Sequence, residues 1–181
     1  MTLCNSFHHL SSWLCDDTDS QAAAGDRKGV PVRPGAWELL AEVAAVGLPH
    51  ALVTSSQRGF MQAVLDSTGM RFDVLVCGQD VTATKPDPEP YLLAAKLIGV
   101  PPGDCFALED SPNGVASAEA AGCRVIAVPS LLPLPPAPGR IVVPSLLDLT
   151  AGPSGVYPRG QGGTGGPGGS PPRITPASPS D

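Results

Sequence analysis

Cys105-Phe-Ala-Leu-Glu-Asp-Ser-Pro-Asn-Gly-Val-Ala-Ser-Ala-Glu-Ala-Ala-Gly-Cys-Arg-Val-Ile-Ala-Val128 is the stretch that decides the fold. An apolar run, Cys105–Leu108, ends in two adjacent carboxylates, Glu109 and Asp110. A Ser-Pro-Asn-Gly turn leads into a short Ala-rich helix over Val115–Ala121, and a second apolar run covers Arg124–Val128. Strands this short, separated by a single helix, belong to a parallel sheet rather than to hairpins. The same alternation extends upstream. Ala36–Val46 reads as a helix, with Trp37, Leu40, Val43 and Ala44 as its apolar stripe and Gly47 as its stop. Ala51–Val53 is a strand, and a helix over about Gln57–Ser67 should bury Phe60, Val64 and Met61. Phe72–Cys77 is the next strand, a helix lies near Pro90–Leu97, and Ile141–Val143 closes the pattern after a proline-rich loop. The fold class expected is α/β, a three-layer Rossmann-like parallel sheet with helices on both faces.

The flanks have a different character. Residues 1–29 show no sustained period and are expected to be a poorly ordered leader or remnant, with the α/β core over 30–150. Of the 21 Gly and 22 Pro in 181 residues, a large share falls in 151–181, read as a disordered Gly/Pro-rich tail. Eleven Lys and Arg stand against 17 Asp and Glu, a net charge of −6, which argues against a nucleic-acid surface. No apolar run is long enough to span a bilayer, and the opening residues lack the pattern of a signal peptide. Five widely spaced cysteines without a CxxC argue against a disulfide framework or structural zinc. The expected location is the cytoplasm.

In a parallel sheet, ligands bind at the carboxyl ends of the strands, and here those ends are polar. Thr54-Ser55-Ser56 follows Ala51–Val53, where hydroxyls and helix N–H groups could bind phosphate or simply cap the next helix. Lys85, in Thr84-Lys-Pro-Asp-Pro88, could hold a phosphate oxygen or be an ordinary solvated lysine. Glu109 and Asp110 could share a Mg²⁺ ion, or form an acidic loop in which Asp110 or Asn113 caps the helix. Hydroxyl, lysine and paired carboxylates at successive strand ends are the combination that phosphoryl chemistry requires.

Taken together, these segments resemble the haloacid dehalogenase-like (HAD) hydrolase superfamily, in particular its β-phosphoglucomutase and phosphoglycolate phosphatase-like branch. The matching text is Val32-Arg-Pro-Gly-Ala-Trp-Glu-Leu-Leu, Ala51-Leu-Val-Thr-Ser-Ser, Thr84-Lys-Pro-Asp-Pro-Glu-Pro-Tyr, Leu108-Glu-Asp-Ser-Pro-Asn-Gly-Val and Glu119-Ala-Ala-Gly. The resemblance implies that Thr54, with Ser55, binds phosphate, that Lys85 is the catalytic lysine, and that Asp110 with Glu109 serves a Mg²⁺ site. It also implies a small phosphorylated metabolite as substrate and an aspartyl-phosphate intermediate. Relatives that transfer the phosphoryl group to a sugar or displace a halide share this core. The chain departs from the family at one point. Members open with an apolar strand followed by Asp-x-Asp-Gly-Thr and then a helical cap, and neither is recognisable here. Asp17-Thr18-Asp19-Ser20 has the spacing without the Gly-Thr or a convincing strand before it. Three readings stay open: a truncated or misread piece of a capped hydrolase, a phosphate- or Mg²⁺-binding or partner-binding protein that has lost catalysis, and a capless enzyme using Asp17 and Asp19. Loss of the first strand would leave the sheet incomplete at the N-terminus.

Overall fold

The computed structural model describes the backbone of residues 2–7 and all of residues 32–160. In chain order the elements are β1 (Thr2–Phe7), α1 (Ala36–Ala45), β2 (His50–Thr54), α2 (Arg58–Thr68), β3 (Val74–Val76), α3 (Glu89–Ile98), β4 (Cys105–Glu109), α4 (Pro112–Ala120), β5 (Arg124–Ala127), β6 (Arg140–Val142), β7 (Leu149–Gly152) and β8 (Gly155–Pro158). The first six strands form one sheet in the order β3-β2-β1-β4-β5-β6, every neighbouring pair parallel. β7 and β8 form a separate antiparallel hairpin.

The strand residues alternate between two cores, as a period of two requires. Leu52, Leu108 and Ile126 face one core, shared with Ala36, Leu39 and Val43 of α1, Met61, Val64 and Leu65 of α2, and Leu149 and Val156 of the hairpin. Ala51, Val53, Ala107, Val125 and Ala127 face the other, against Tyr91, Ala94 and Ala95 of α3 and Val115 and Ala118 of α4. Small residues dominate this second face, which lets α3 and α4 lie close to the sheet. The three-layer α/β arrangement is the one expected.

Four details differ from the sequence reading. Thr2–Phe7, placed there within a leader, is the central strand, hydrogen-bonded between β2 and β4. Its mixture of Thr, Asn and Ser hides it from a hydrophobic pattern, and pairing on both sides supplies what the pattern lacks. Phe60 and Trp37, expected in apolar stripes, are exposed, while Met61 and Leu65 of α2 and Leu39 of α1 are buried. Each helix is rotated so that the residue one or two places along meets the sheet. Ordered structure also runs past residue 150. Val156 is fully buried, and Glu42 of α1 accepts bonds from Thr150 Oγ1, the Ala151 N–H and Arg159, so the hairpin belongs to the core. Finally, α4 is capped by neither Asp110 nor Asn113. Ser111 is its N-cap, its Oγ accepting from Gly114 N at 3.2 Å. The tail beyond residue 160 and the pair Asp17 and Asp19 lie outside the described residues.

Candidate active site

The parallel register brings the carboxyl ends of β2, β1 and β4 side by side. Thr54 ends β2 and is buried; its Oγ1 accepts the Ser56 N–H at 3.1 Å, which leaves the hydroxyl proton for another acceptor. Ser55 and Ser56 do not cap α2, whose N-cap is Gln57 with no side-chain bond. Ser55 Oγ is instead buried with no hydrogen-bond partner among the described residues, and such a group carries a cost that a bound ligand would relieve. Gly78, just after β3, closes this corner. A Cβ there would lie 2.6 Å from Ser55 O, so only glycine allows the two strand ends to approach.

Lys85 arrives from the loop between β3 and α3, which is held at several points. The Glu89 carboxylate accepts the backbone N–H groups of Thr82 and Ala83, bonds that keep its pKa below the usual value. Asp87 N donates to Thr84 O at 3.0 Å, and Asp87 Oδ1 accepts from Glu89 N at 2.9 Å. From α4, Ser117 Oγ donates to Asp87 O at 2.5 Å. The loop carries the lysine inward, with its side chain wholly inaccessible, so the solvated alternative does not hold. Lys85 Nζ donates to Val53 O at 3.0 Å, one residue from Thr54, and to Glu109 Oε1 at 2.9 Å.

Glu109 ends β4 and is fully buried. Its Oε1 also accepts from Tyr91 OH at 2.5 Å, while Oε2 has no partner among the described residues. Tyr91 was not singled out in the sequence, where it reads as one more apolar position of α3; only its depth opposite β4 reveals the bond. Asp110 is also buried, its Oδ2 accepting from Ser130 Oγ at 3.2 Å. Arg33, ahead of α1, steadies the segment that carries Ser130, donating to Pro129 O at 3.3 Å. The structure thus gathers Thr54, Ser55, Lys85, Glu109 and Asp110 at one edge of the sheet. β1 supplies no carboxylate there: Phe7 is the register partner of Thr54, and Ser6 that of Val53.

The fit to a divalent cation can be judged from these donors. Mg²⁺ takes oxygen ligands, often only one or two carboxylates completed by water and substrate phosphate. Asp110 suits that pattern as a carboxylate ligand, and Glu109 Oε2, which has no partner among the described residues but faces the backbone of Gly114, is the nearest second one; no group of three or more His, Cys, Asp or Glu forms among the described residues.

A profile of haloacid dehalogenase-like hydrolases matches residues 15–122, more than half of the chain. Hexitol phosphatase A of Escherichia coli is 41% identical over 106 residues, covering 58% of this chain and 49% of that protein. Protein CbbY of Rhodobacter capsulatus is also 41% identical over 106 residues, covering 56% of this chain and 47% of its own length. Among solved structures, CbbY from Rhodobacter sphaeroides in complex with phosphate superposes with a TM-score of 0.60 at 32% identity, covering 65% of this chain and 55% of that one. The chain therefore spans about half the length of the curated relatives it matches. With this match extending over more than half of its length, the chain belongs to the haloacid dehalogenase-like hydrolase family.

Proposed function

We propose that this chain is a phosphate-binding core that holds the phosphate group of a small phosphomonoester, in a Mg²⁺-dependent way, at the carboxyl edge of its sheet. The observation that supports this reading is a buried lysine paired with Glu109 beside Asp110, with a buried Ser55 hydroxyl that has no hydrogen-bond partner among the described residues at the end of β2. In the site, Thr54 and Ser55 offer hydroxyl protons to phosphate oxygens, and Lys85 supplies positive charge. Asp110 and Glu109 would hold the cation, which when bound neutralises the negative charge of the phosphoryl oxygens.

The charges explain why a cation is needed. Lys85 offsets only one of the two carboxylates, so the bare cluster is net negative and repels phosphate; a bound divalent ion reverses the sign. Covalent catalysis is a separate requirement, because an aspartyl-phosphate needs a carboxylate in line with the phosphorus. Among the described residues β1 offers none, Phe7 being the register partner of Thr54. On this reading the chain binds phosphate without turning it over. The competing reading, hydrolysis through Asp17 and Asp19, draws support from the family match, which begins at residue 15 and so includes that pair. The free, buried thiols of Cys77, Cys105 and Cys123 support a cytoplasmic location.

Titration calorimetry with inorganic phosphate, with and without Mg²⁺, tests the binding. Phosphate should bind only with Mg²⁺ present, and Lys85→Met should weaken it at least about tenfold. Absence of any binding refutes the reading. Release of p-nitrophenol from its phosphate ester above an Asp110→Asn control refutes the non-catalytic part; Asp17→Asn and Asp19→Asn should then abolish it.

A further inference from the structure

Tyr91 lies in the first turn of α3, buried to zero exposure between the Lys85 loop and β4. Its ring passes beneath the lysine, with Nζ 5.1 Å from the centroid, within the range of a cation–π contact. A phenylalanine would fill that space and keep that contact, so packing does not account for the hydroxyl. The hydroxyl donates at 2.5 Å to Glu109 Oε1, the same oxygen that accepts from Lys85 Nζ at 2.9 Å. Two donors on one oxygen fix the rotation of the carboxylate. They leave Oε2 turned toward the backbone of Gly114, at the start of α4. A carboxylate held by the lysine alone could rotate about its terminal bond, and of the two acceptors that hold the lysine only Val53 O would then stay fixed.

We propose that Tyr91 is a positioning residue of the anion site, its hydroxyl locking the Glu109 carboxylate and through it the place of the Lys85 ammonium. The proposal rests on the phosphate-binding reading for its effect on affinity, but its structural part stands on the hydrogen bonds alone. α3 thereby holds the site twice from one turn: Glu89 pins the backbone of the lysine loop, and Tyr91 pins the lysine's counter-ion.

The experiment is Tyr91→Phe in the full chain, read in two ways. Nuclear magnetic resonance of the ¹⁵N-labelled protein follows the Lys85 ammonium signal, identified by its loss in Lys85→Met. Calorimetry follows inorganic phosphate in the presence of Mg²⁺. The expected result in a folded Tyr91→Phe protein is an ammonium signal that moves or is lost to fast water exchange, with phosphate affinity lowered about tenfold. An unchanged ammonium signal overturns the proposal. If the unaltered protein binds no phosphate, the proposed function fails, and the ammonium signal alone decides the role of Tyr91. If Tyr91→Phe does not fold, 3-fluorotyrosine is placed at both tyrosines of the otherwise unaltered chain. Its ¹⁹F signal at Tyr91, unlike that at Tyr157, must then shift on Glu109→Gln; a signal that stays in place overturns the proposal.

Discussion

Replacing Gly114 by alanine adds a single methyl group, and the structure shows what it meets. A Cβ at this position would lie 1.9 Å from Glu109 Oε2, 2.1 Å from Cδ and 2.2 Å from Oε1. The tip of a glutamate could ordinarily swing aside, but this one is fully buried and bonded through Oε1 to Lys85 and Tyr91. Making room means breaking those bonds while both charges stay out of water. Overpacking alone costs about 1–3 kcal/mol, and disrupting a buried ion pair costs up to about 3–5 kcal/mol. The better helix propensity of alanine returns about 1 kcal/mol. A net loss of about 3 kcal/mol should lower the melting temperature by roughly 10 °C. Gly59→Ala is the matched control: it lies in the first turn of α2 with nothing within 4 Å of its Cβ position, and should be neutral or stabilising by up to about 1 kcal/mol. Urea and thermal unfolding followed by circular dichroism measure both. A Gly114→Ala protein as stable as the parent, or two variants that move in the same direction, would show that Glu109 is not held as described.

Three further outcomes follow from the same contacts. Lys85→Met and Glu109→Gln should each destabilise by about 3–5 kcal/mol by leaving a buried group without its partner, and the double variant should lose far less than their sum in a urea-unfolding cycle. Glu42 has its pKa held below the usual value by the Ala151 N–H, with Thr150 and Arg159 adding and burial partly opposing. A depressed carboxyl contributes stability that is present above its unfolded value and lost as pH falls through the folded one. Glu42→Gln should therefore flatten the acid side of the stability profile below about pH 4.5 and loosen the β7–β8 hairpin, measured by thermal melts across pH and by hydrogen exchange of Ala151. Burial pushes the Cys105 thiol up to about 11, with Asp104 adding, and the Cys123 thiol up to about 12, with Cys105 adding. Neither should react with a thiolate-selective disulfide reagent at pH 8 until guanidinium is added, as mapped by mass spectrometry of the labelled peptides.

The repeated strand–helix text from Val32 to Val143 determined the layers of this protein, because short apolar runs alternating with single amphipathic helices can bury themselves only as a covered parallel sheet. It also marked Thr54, Ser55, Lys85, Glu109 and Asp110, since polar groups at consecutive strand ends of such a sheet fall at one edge. Tertiary structure decided the rest. Thr2–Phe7 becomes the central strand through pairing on both sides, which no local pattern carries. Phe60 and Trp37 face outward because the rotation of a helix depends on the surface it meets. The state of each site residue was likewise set by depth. Lys85 could have been solvated, and is instead sealed against Glu109; Ser55 could have capped a helix, and its hydroxyl instead has no partner among the described residues. Hydrogen-bond partners brought together across the fold, Tyr91 with Glu109 and Ser130 with Asp110, leave no trace in spacing or composition, because they exist only once the chain has closed around them.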